Sequence, residues 1–232
     1  MPHTPQGAPD EPTTQMGPFH RPAAVIFDMD GVLVDSGAHH REAWIRLLAE
    51  LGVSPPAGFW RRTIGRPSVE AVPLLLGKSL APAEARRLAN RKHAHYETLA
   101  ATGMPAVPGV IAFVDTLRAK AVPLAVATSA RRSDTVELLG PLGLLDRFDA
   151  IVTAEDVSRG KPDPEVYLRA AGRLGSAPAD CLVFEDALVG VQAARGAGMR
   201  VVGVATAYEP ADLLGAGAER AIATFEGLSW PL

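Results

Sequence analysis

Cysteine is nearly absent: Cys181 stands alone in 232 residues. No intrachain disulfide can form, and no cysteine cluster can hold zinc. A reducing cytoplasm is the simplest compartment for such a chain. No apolar run approaches the roughly 18 residues that a membrane-spanning helix needs, so no membrane partner is expected. The N-terminus lacks the basic start and apolar core of a secretory signal. Positive charge is not in excess either. Lys and Arg number 23 against 26 Asp and Glu, a net charge of −3, which argues against a general nucleic-acid binder. What is present is an ordinary globular balance, 47% hydrophobic and 21% charged, enough for one large domain or two small ones.

Residues 1–21 are polar and proline-rich without apolar periodicity, the composition of a disordered tail. From Pro22 onward, short apolar runs alternate with helical patterns. Strands are expected at 23–28, 122–128, 150–153, 181–185, 201–204 and 221–224. Helices are expected near 109–120, 134–140, 164–174, 187–197 and 210–215. Asp163 is placed to cap a helix whose first residue is Pro164, and Ser133 to cap the helix before it. Gly175 and Gly196 read as helix stops. Such alternation implies an α/β fold, a doubly wound parallel sheet covered on both faces.

Residues 37–107 break the pattern, with no convincing strand. Ala43, Trp44, Leu47, Leu48 and Leu51 share one helical face, and a second helix begins at Pro82 and runs through Ala85, Leu88, Ala89, Lys92, Tyr96 and Leu99. The sequence therefore divides into an α/β core made of 22–36 and 108–232 and an inserted helical module at 37–107. The insert carries ten Lys/Arg against five Asp/Glu, and the remainder 13 against 21. Either the arginines coat solvated helices, or a basic module faces an acidic core over an anionic substrate handled with a cation.

Chemistry-bearing residues cluster where strands should end, the edge at which doubly wound sheets bind ligands. The first strand ends in Asp28 and is followed by Asp30; two apart, they are expected to point into one small volume and to need a proton, a cation or a metal between them. Thr128-Ser129 ends the second strand and Glu185-Asp186 the fourth. Lys161 follows the third, within Arg159-Gly160-Lys161-Pro162-Asp163-Pro164.

Four segments, in order and spacing, resemble the signature motifs of the haloacid dehalogenase superfamily. They are Phe27-Asp28-Met29-Asp30-Gly31-Val32-Leu33-Val34-Asp35-Ser36, Ala127-Thr128-Ser129, Gly160-Lys161-Pro162-Asp163-Pro164 and Phe184-Glu185-Asp186-Ala187-Leu188-Val189-Gly190. The resemblance covers about 23–223 and includes a helical cap inserted after the first motif. It implies Asp28 as nucleophile toward phosphorus, Asp30 as acid and then base, and Thr128 and Lys161 at the transferring phosphoryl group. It implies a Mg2+ cofactor held by a carboxylate oxygen of Asp28, the backbone carbonyl of Asp30 and the carboxylate of Asp186, with Glu185 direct or through water. Ser129, His40 and Arg66 are candidate substrate-binding residues, His40 and Arg66 alternatively ordinary surface or packed side chains. Arg131 and Arg132 are weaker candidates, and Asp35 and Ser36 read as shaping the linker.

Within the superfamily, Asp30 and Asp186 argue against dehalogenation, which needs neither the second aspartate nor a metal. Lys78 and Lys92 lie in no motif that suggests Schiff-base chemistry. β-Phosphoglucomutase is the rival: it shares the first motif, His40 and Trp44, but this chain has Ile64 and Ser68 where the mutase loop carries a lysine and an arginine. The resemblance thus implies a magnesium-dependent phosphatase, cytoplasmic, acting as a monomer or weak homodimer on a small phosphorylated metabolite such as a sugar phosphate. A phosphate-sensing or partner-binding relative without catalysis is the alternative of another class.

Overall fold

A computed structural model describes residues 22–231; the expected tail at 1–21 lies outside the described residues. Six strands form one parallel sheet: β1 (Ala24–Phe27), β2 (Leu124–Ala127), β3 (Ala150–Val152), β4 (Cys181–Glu185), β5 (Arg200–Val204) and β6 (Arg220–Ile222), in the order β3-β2-β1-β4-β5-β6. The α/β, doubly wound expectation holds. Strand residues are short and apolar because both faces are covered. Val25, Phe27, Val126, Phe184 and Val202 pack on one side with Phe113 and Phe225. Ala24, Ile26, Ala125, Val183 and Val201 pack on the other with Tyr167 and Val191. This alternation follows from the two-residue period of a strand. Phe27, stacked on Phe184 at 5.1 Å between centroids, sits at the centre; emptying such a site costs about 3–5 kcal/mol.

The order places β1 between β2 and β4. The chain first winds outward through β2 and β3, then returns to the other side of β1. Winding reverses there, so the crevice beyond the ends of β1 and β4 is the sheet's ligand-binding position.

Helices α1 (Gly37–Glu50), α2 (Phe59–Thr63), α3 (Ser68–Leu76) and α4 (Pro82–Ala100) follow β1. They contribute no strand and share an apolar centre of Trp44, Leu47, Phe59, Val72, Leu75 and Leu88. The remaining helices flank the sheet: α5 (Val110–Ala119), α6 (Arg132–Leu139), α7 (Glu165–Leu174), α8 (Leu188–Gly196) and α9 (Pro210–Gly215).

Two helix starts differ from the sequence expectation. Ser133 lies inside α6, which begins at Arg132; the Glu155 carboxylate, reaching across from the segment after β3, accepts the Arg132 N–H at 3.1 Å. A tertiary acceptor replaces the local cap. Pro164 precedes α7 rather than opening it, yet Asp163 still accepts the Glu165 N–H at 3.0 Å. Gly175 ends α7 in the left-handed region as expected, and Gly198, at φ +78°, supplies the turn after α8.

Candidate active site

β1 ends at Phe27 and β4 at Glu185, and their register pairs Phe27 with Phe184. Asp28 and Glu185-Asp186 therefore emerge side by side at the centre of the sheet. Their carboxylate oxygens lie within 4.8 Å of one another, and all three residues are buried. Lys161 Nζ donates to Asp28 Oδ1 at 2.9 Å and to Glu185 Oε2 at 2.8 Å. Glu185 is fully enclosed: the Tyr167 hydroxyl also donates to Oε2, and the Ala187 N–H donates to Oε1 at 3.0 Å. With three donors on it, Glu185 fixes Lys161, and Lys161 in turn aims at Asp28.

Three ionised carboxylates against one ammonium leave two negative charges in a dry volume. Burial, then Glu185, pushes the Asp28 carboxyl up to about 7, against the pull of Lys161. Burial, with Glu185 and Asp28, raises Asp186 well above the usual carboxylate range. The same field holds Lys161 protonated: burial opposes its charge, but Asp28 and Glu185 more than compensate. A divalent cation among all-oxygen donors is the charge this cluster lacks. The donor set fits magnesium.

Asp28 and Asp30 line one cleft, and the Asp30 charge helps to raise the Asp28 carboxyl, but the two side chains make different hydrogen bonds. The strand has already ended, and Gly31, at φ +72°, turns the chain. Asp30 Oδ1 accepts the Ser36 hydroxyl at 2.5 Å and faces His40 Nε2 at 3.1 Å. Its carboxylate looks toward α1, while that of Asp28 looks toward Lys161. Burial alone would raise the Asp30 carboxyl, but His40 and Ser36 bring it down to about 2. A side chain on Gly31 would meet the Asp186 carboxylate at 2.0 Å, so this turn admits only glycine.

Behind His40 stands Lys92 of α4, buried, with Nζ 2.7 Å from His40 Nδ1. An ammonium can only donate, so Nδ1 accepts; the ring proton then sits on Nε2 and is donated to Asp30. Burial, then the Lys92 charge, lowers the His40 pKa, and burial lowers that of Lys92 to about 8. The Tyr96 ring stacks on His40 at 4.1 Å, and the ammonium lies 4.9 Å from its centroid and 5.4 Å from that of Trp44. Sequence reasoning put Lys92 on the apolar face of its helix and left it without a task; a lysine among Leu88, Ala89 and Tyr96 was the available signal. It missed Tyr167 and Thr206 as well. The Thr206 hydroxyl donates to the Gly31 carbonyl at 2.6 Å, from a loop with no motif to mark it.

The other expected residues converge on the same cleft, of about 790 Å³. Thr128 is buried at the tip of β2, and its Oγ1 accepts the Ala130 N–H at 3.0 Å, which leaves the hydroxyl proton to donate into the cleft. Ser129, Arg66 and Arg131 line the walls, with Trp60 and Ile64 on the helical side. Arg132 turns away from it to pair with Asp156 at 2.6 Å.

A model of the haloacid dehalogenase-like hydrolases matches residues 22–198. The chain belongs to this family. Validoxylamine A 7′-phosphate phosphatase of Streptomyces hygroscopicus subsp. limoneus is 38% identical over 187 residues, 79% of this chain and 86% of the relative. The phosphorylated carbohydrates phosphatase of Thermotoga maritima is 36% identical over 78% of this chain and 84% of its own. Among solved structures, a β-phosphoglucomutase from Clostridium difficile superposes with a TM-score of 0.80 at 26% identity, covering 90% of this chain and 93% of that one. Residues from all four sequence segments, Asp28, Thr128, Lys161 and Asp186, meet in the cleft at one sheet edge.

Proposed function

We propose that this hydrolase is a magnesium-dependent phosphatase that cleaves a small phosphorylated metabolite, a sugar phosphate or similar monoester, through an aspartyl-phosphate on Asp28. The observation that carries this is the Asp28–Lys161–Glu185 arrangement beside Asp186: a carboxylate held by a buried ammonium, in a cluster short of two positive charges. Asp28 attacks phosphorus in line, and Lys161 spreads its charge over nucleophile and phosphoryl oxygens. The Thr128 hydroxyl and neighbouring backbone N–H groups bind those oxygens, with Ser129 beside them. Asp28, Asp186 and the Asp30 carbonyl would hold Mg2+, with Glu185 acting through water because its oxygens already serve three donors; the ion supplies charge neutralisation at the phosphoryl group.

Asp30 protonates the leaving oxygen, then takes a proton from the attacking water. In the arrangement seen here it is held as the base, by Ser36 and by a neutral His40 whose tautomer Lys92 sets. His40 is thus placed as a partner of Asp30 rather than only as a substrate contact. We assign residues 37–107 as a cap over a core of 22–36 and 108–232. Arg66 reaches the cleft from the cap and is the candidate contact for an anionic or hydroxyl-rich leaving group. The two relatives named as phosphatases of phosphorylated carbohydrate and validoxylamine support this substrate class. Both walls of the cleft come from one chain, so a monomer or weak homodimer suffices. The single free thiol, Cys181, is buried, consistent with a cytoplasmic setting. Among the described residues no helix is long and apolar enough to cross a membrane.

The test is phosphate release across a panel of sugar phosphates, nucleotides and short phosphorylated acids, with magnesium. Turnover is expected on several sugar phosphates and absent in excess chelator. Asp28→Asn should lower kcat by about 10⁴-fold or more; full activity in that variant would sink the nucleophile assignment. The mutase reading, favoured by the likeness to the Clostridium enzyme, predicts interconversion of β-glucose 1-phosphate and glucose 6-phosphate with a bisphosphate primer. Ile64 and Ser68, in place of a lysine and an arginine, favour hydrolysis instead.

A further inference from the structure

A second cluster of ligating side chains spans α4 and α6, apart from the Asp28 carboxylates and unused by the chemistry above. His93 and Glu97 are four residues apart on α4 and so project from one face. Asp134, in the first turn of α6, meets them from the other side of the cleft. His93 Nε2 lies 3.1 Å from Glu97 Oε1 and 3.4 Å from Asp134 Oδ1, and one ligand atom from each residue falls within 4.8 Å of the others.

One imidazole nitrogen facing two carboxylates needs a cation. A proton on Nε2 serves one oxygen well; a divalent ion serves both. A tetrahedral ion with nitrogen and oxygen ligands at about 2.0–2.2 Å has ligand-to-ligand edges of about 3.3–3.6 Å, close to the two spacings from His93, with the Glu97–Asp134 edge within 4.8 Å. The Arg131 guanidinium hydrogen-bonds Asn90 Oδ1 at 2.6 Å, so Arg131 and Lys92 act on Asp134 through their charge and the Arg131 backbone N–H rather than through a side-chain ion pair. The Ser133 hydroxyl donates only weakly to Asp134, at 3.4 Å. The Tyr96 ring, 6.3 Å from that of His93 and nearly parallel to it, backs the imidazole. Asp134 is buried. His93 and Asp134 line the cleft, and Glu97 is 57% exposed at the outer side, which gives an ion a way in.

We propose that His93, Glu97 and Asp134 form a second metal site, for a zinc-type divalent ion, which clasps α4 to α6 and holds the cleft shut. The imidazole ligand selects zinc over magnesium, which prefers oxygen and an octahedral shell. An ion shared by the two walls resists their separation, so zinc should inhibit any turnover that requires opening.

Binding tests this independently of the phosphatase assignment. In a background carrying Asp28→Asn and Asp186→Asn, which removes the other carboxylate cluster, zinc is titrated against a chromophoric indicator with magnesium in excess. One zinc is expected at micromolar concentration, together with a rise in Tm. Adding His93→Gln or Asp134→Asn should weaken that zinc by about tenfold or more and cancel the rise in Tm. Glu97→Gln, at an exposed position the fold tolerates, should do the same and guards against misfolding of the others. No zinc in the background protein, or equal affinity in all three ligand variants, would overturn the site and leave His93 as a simple hydrogen-bond partner of the two carboxylates.

Discussion

Lys161 has 1% of its surface exposed and touches two carboxylates. Replacing it by Met would strand Glu185 as a buried charge. Lys161→Met should cost about 3–5 kcal/mol in urea denaturation at neutral pH; a loss under 1 kcal/mol would contradict the buried ion pair. Lys92 makes a different prediction. Its folded pKa, about 8, lies below the ordinary 10.5, so between these values the unfolded chain binds more protons and stability rises with pH. Lys92→Met should flatten that rise. It should also raise the His40 pKa, because Lys92 is one of the charges that lowers it; NMR titration of the imidazole reads the change. Asp28, Asp30, Thr128 and Asp186 were legible in the sequence because each follows a strand in a recognisable segment, and Lys161 because it lies in such a segment in the loop before α7. Lys92 was not, since a helical period says which face a residue shares and not what lies across from it.

Turns and helix starts hold the catalytic edge in place. The loop after β3 is closed by Asp156, whose Oδ2 accepts the Thr153 N–H at 2.8 Å and its hydroxyl at 2.9 Å, while Arg132 of α6 and Arg173 of α7 both pair with the carboxylate at 2.6 Å. Partial burial works against its charge, but Thr153 and Arg173 hold it well below the ordinary 3.8. A depressed carboxylate stabilises the fold above its unfolded pKa and loses that contribution as pH falls through the folded value. Asp156→Ala should cost about 1–2 kcal/mol at pH 7, with the gap to wild type narrowing as pH falls below about 4. A gap independent of pH would mean that Asp156 acts by packing alone. At the start of α8, a Cβ on Gly190 would come within 2.0 Å of the Glu185 carboxylate. Gly190→Ala should therefore displace Glu185 and, with it, Lys161, lowering kcat by about tenfold or more while costing about 1–3 kcal/mol. The sequence carried the strands, the glycine stops and Asp163 at the start of α7. It misassigned the start of α6, because Glu155, the acceptor that caps it, comes from 23 residues away.

Charge is distributed unevenly over the whole molecule. Residues 37–107 carry a net +5, from ten basic and five acidic residues, and the remainder is net acidic. Arg41, Arg66 and Lys92 of this segment line the cleft and should steer anionic substrates. We expect kcat/KM for a phosphate monoester to fall several-fold between about 0.01 and 0.15 M salt, where the Debye length shortens from about 30 to 8 Å. A salt-independent kcat/KM would show that the arginines only solvate their helices. The sequence by itself determined the sheet, its edge and the acids upon it, because strand periodicity and motif order are local properties of the chain. The tertiary structure alone decided which charges face one another. It gave the Asp30 and Asp28 carboxylates different hydrogen-bond partners, set Lys92 behind His40, and brought His93 and Glu97 against Asp134. Those distances depend on how the helices of 37–107 pack over β1 and α6, and no spacing along the chain encodes a crossing of that kind.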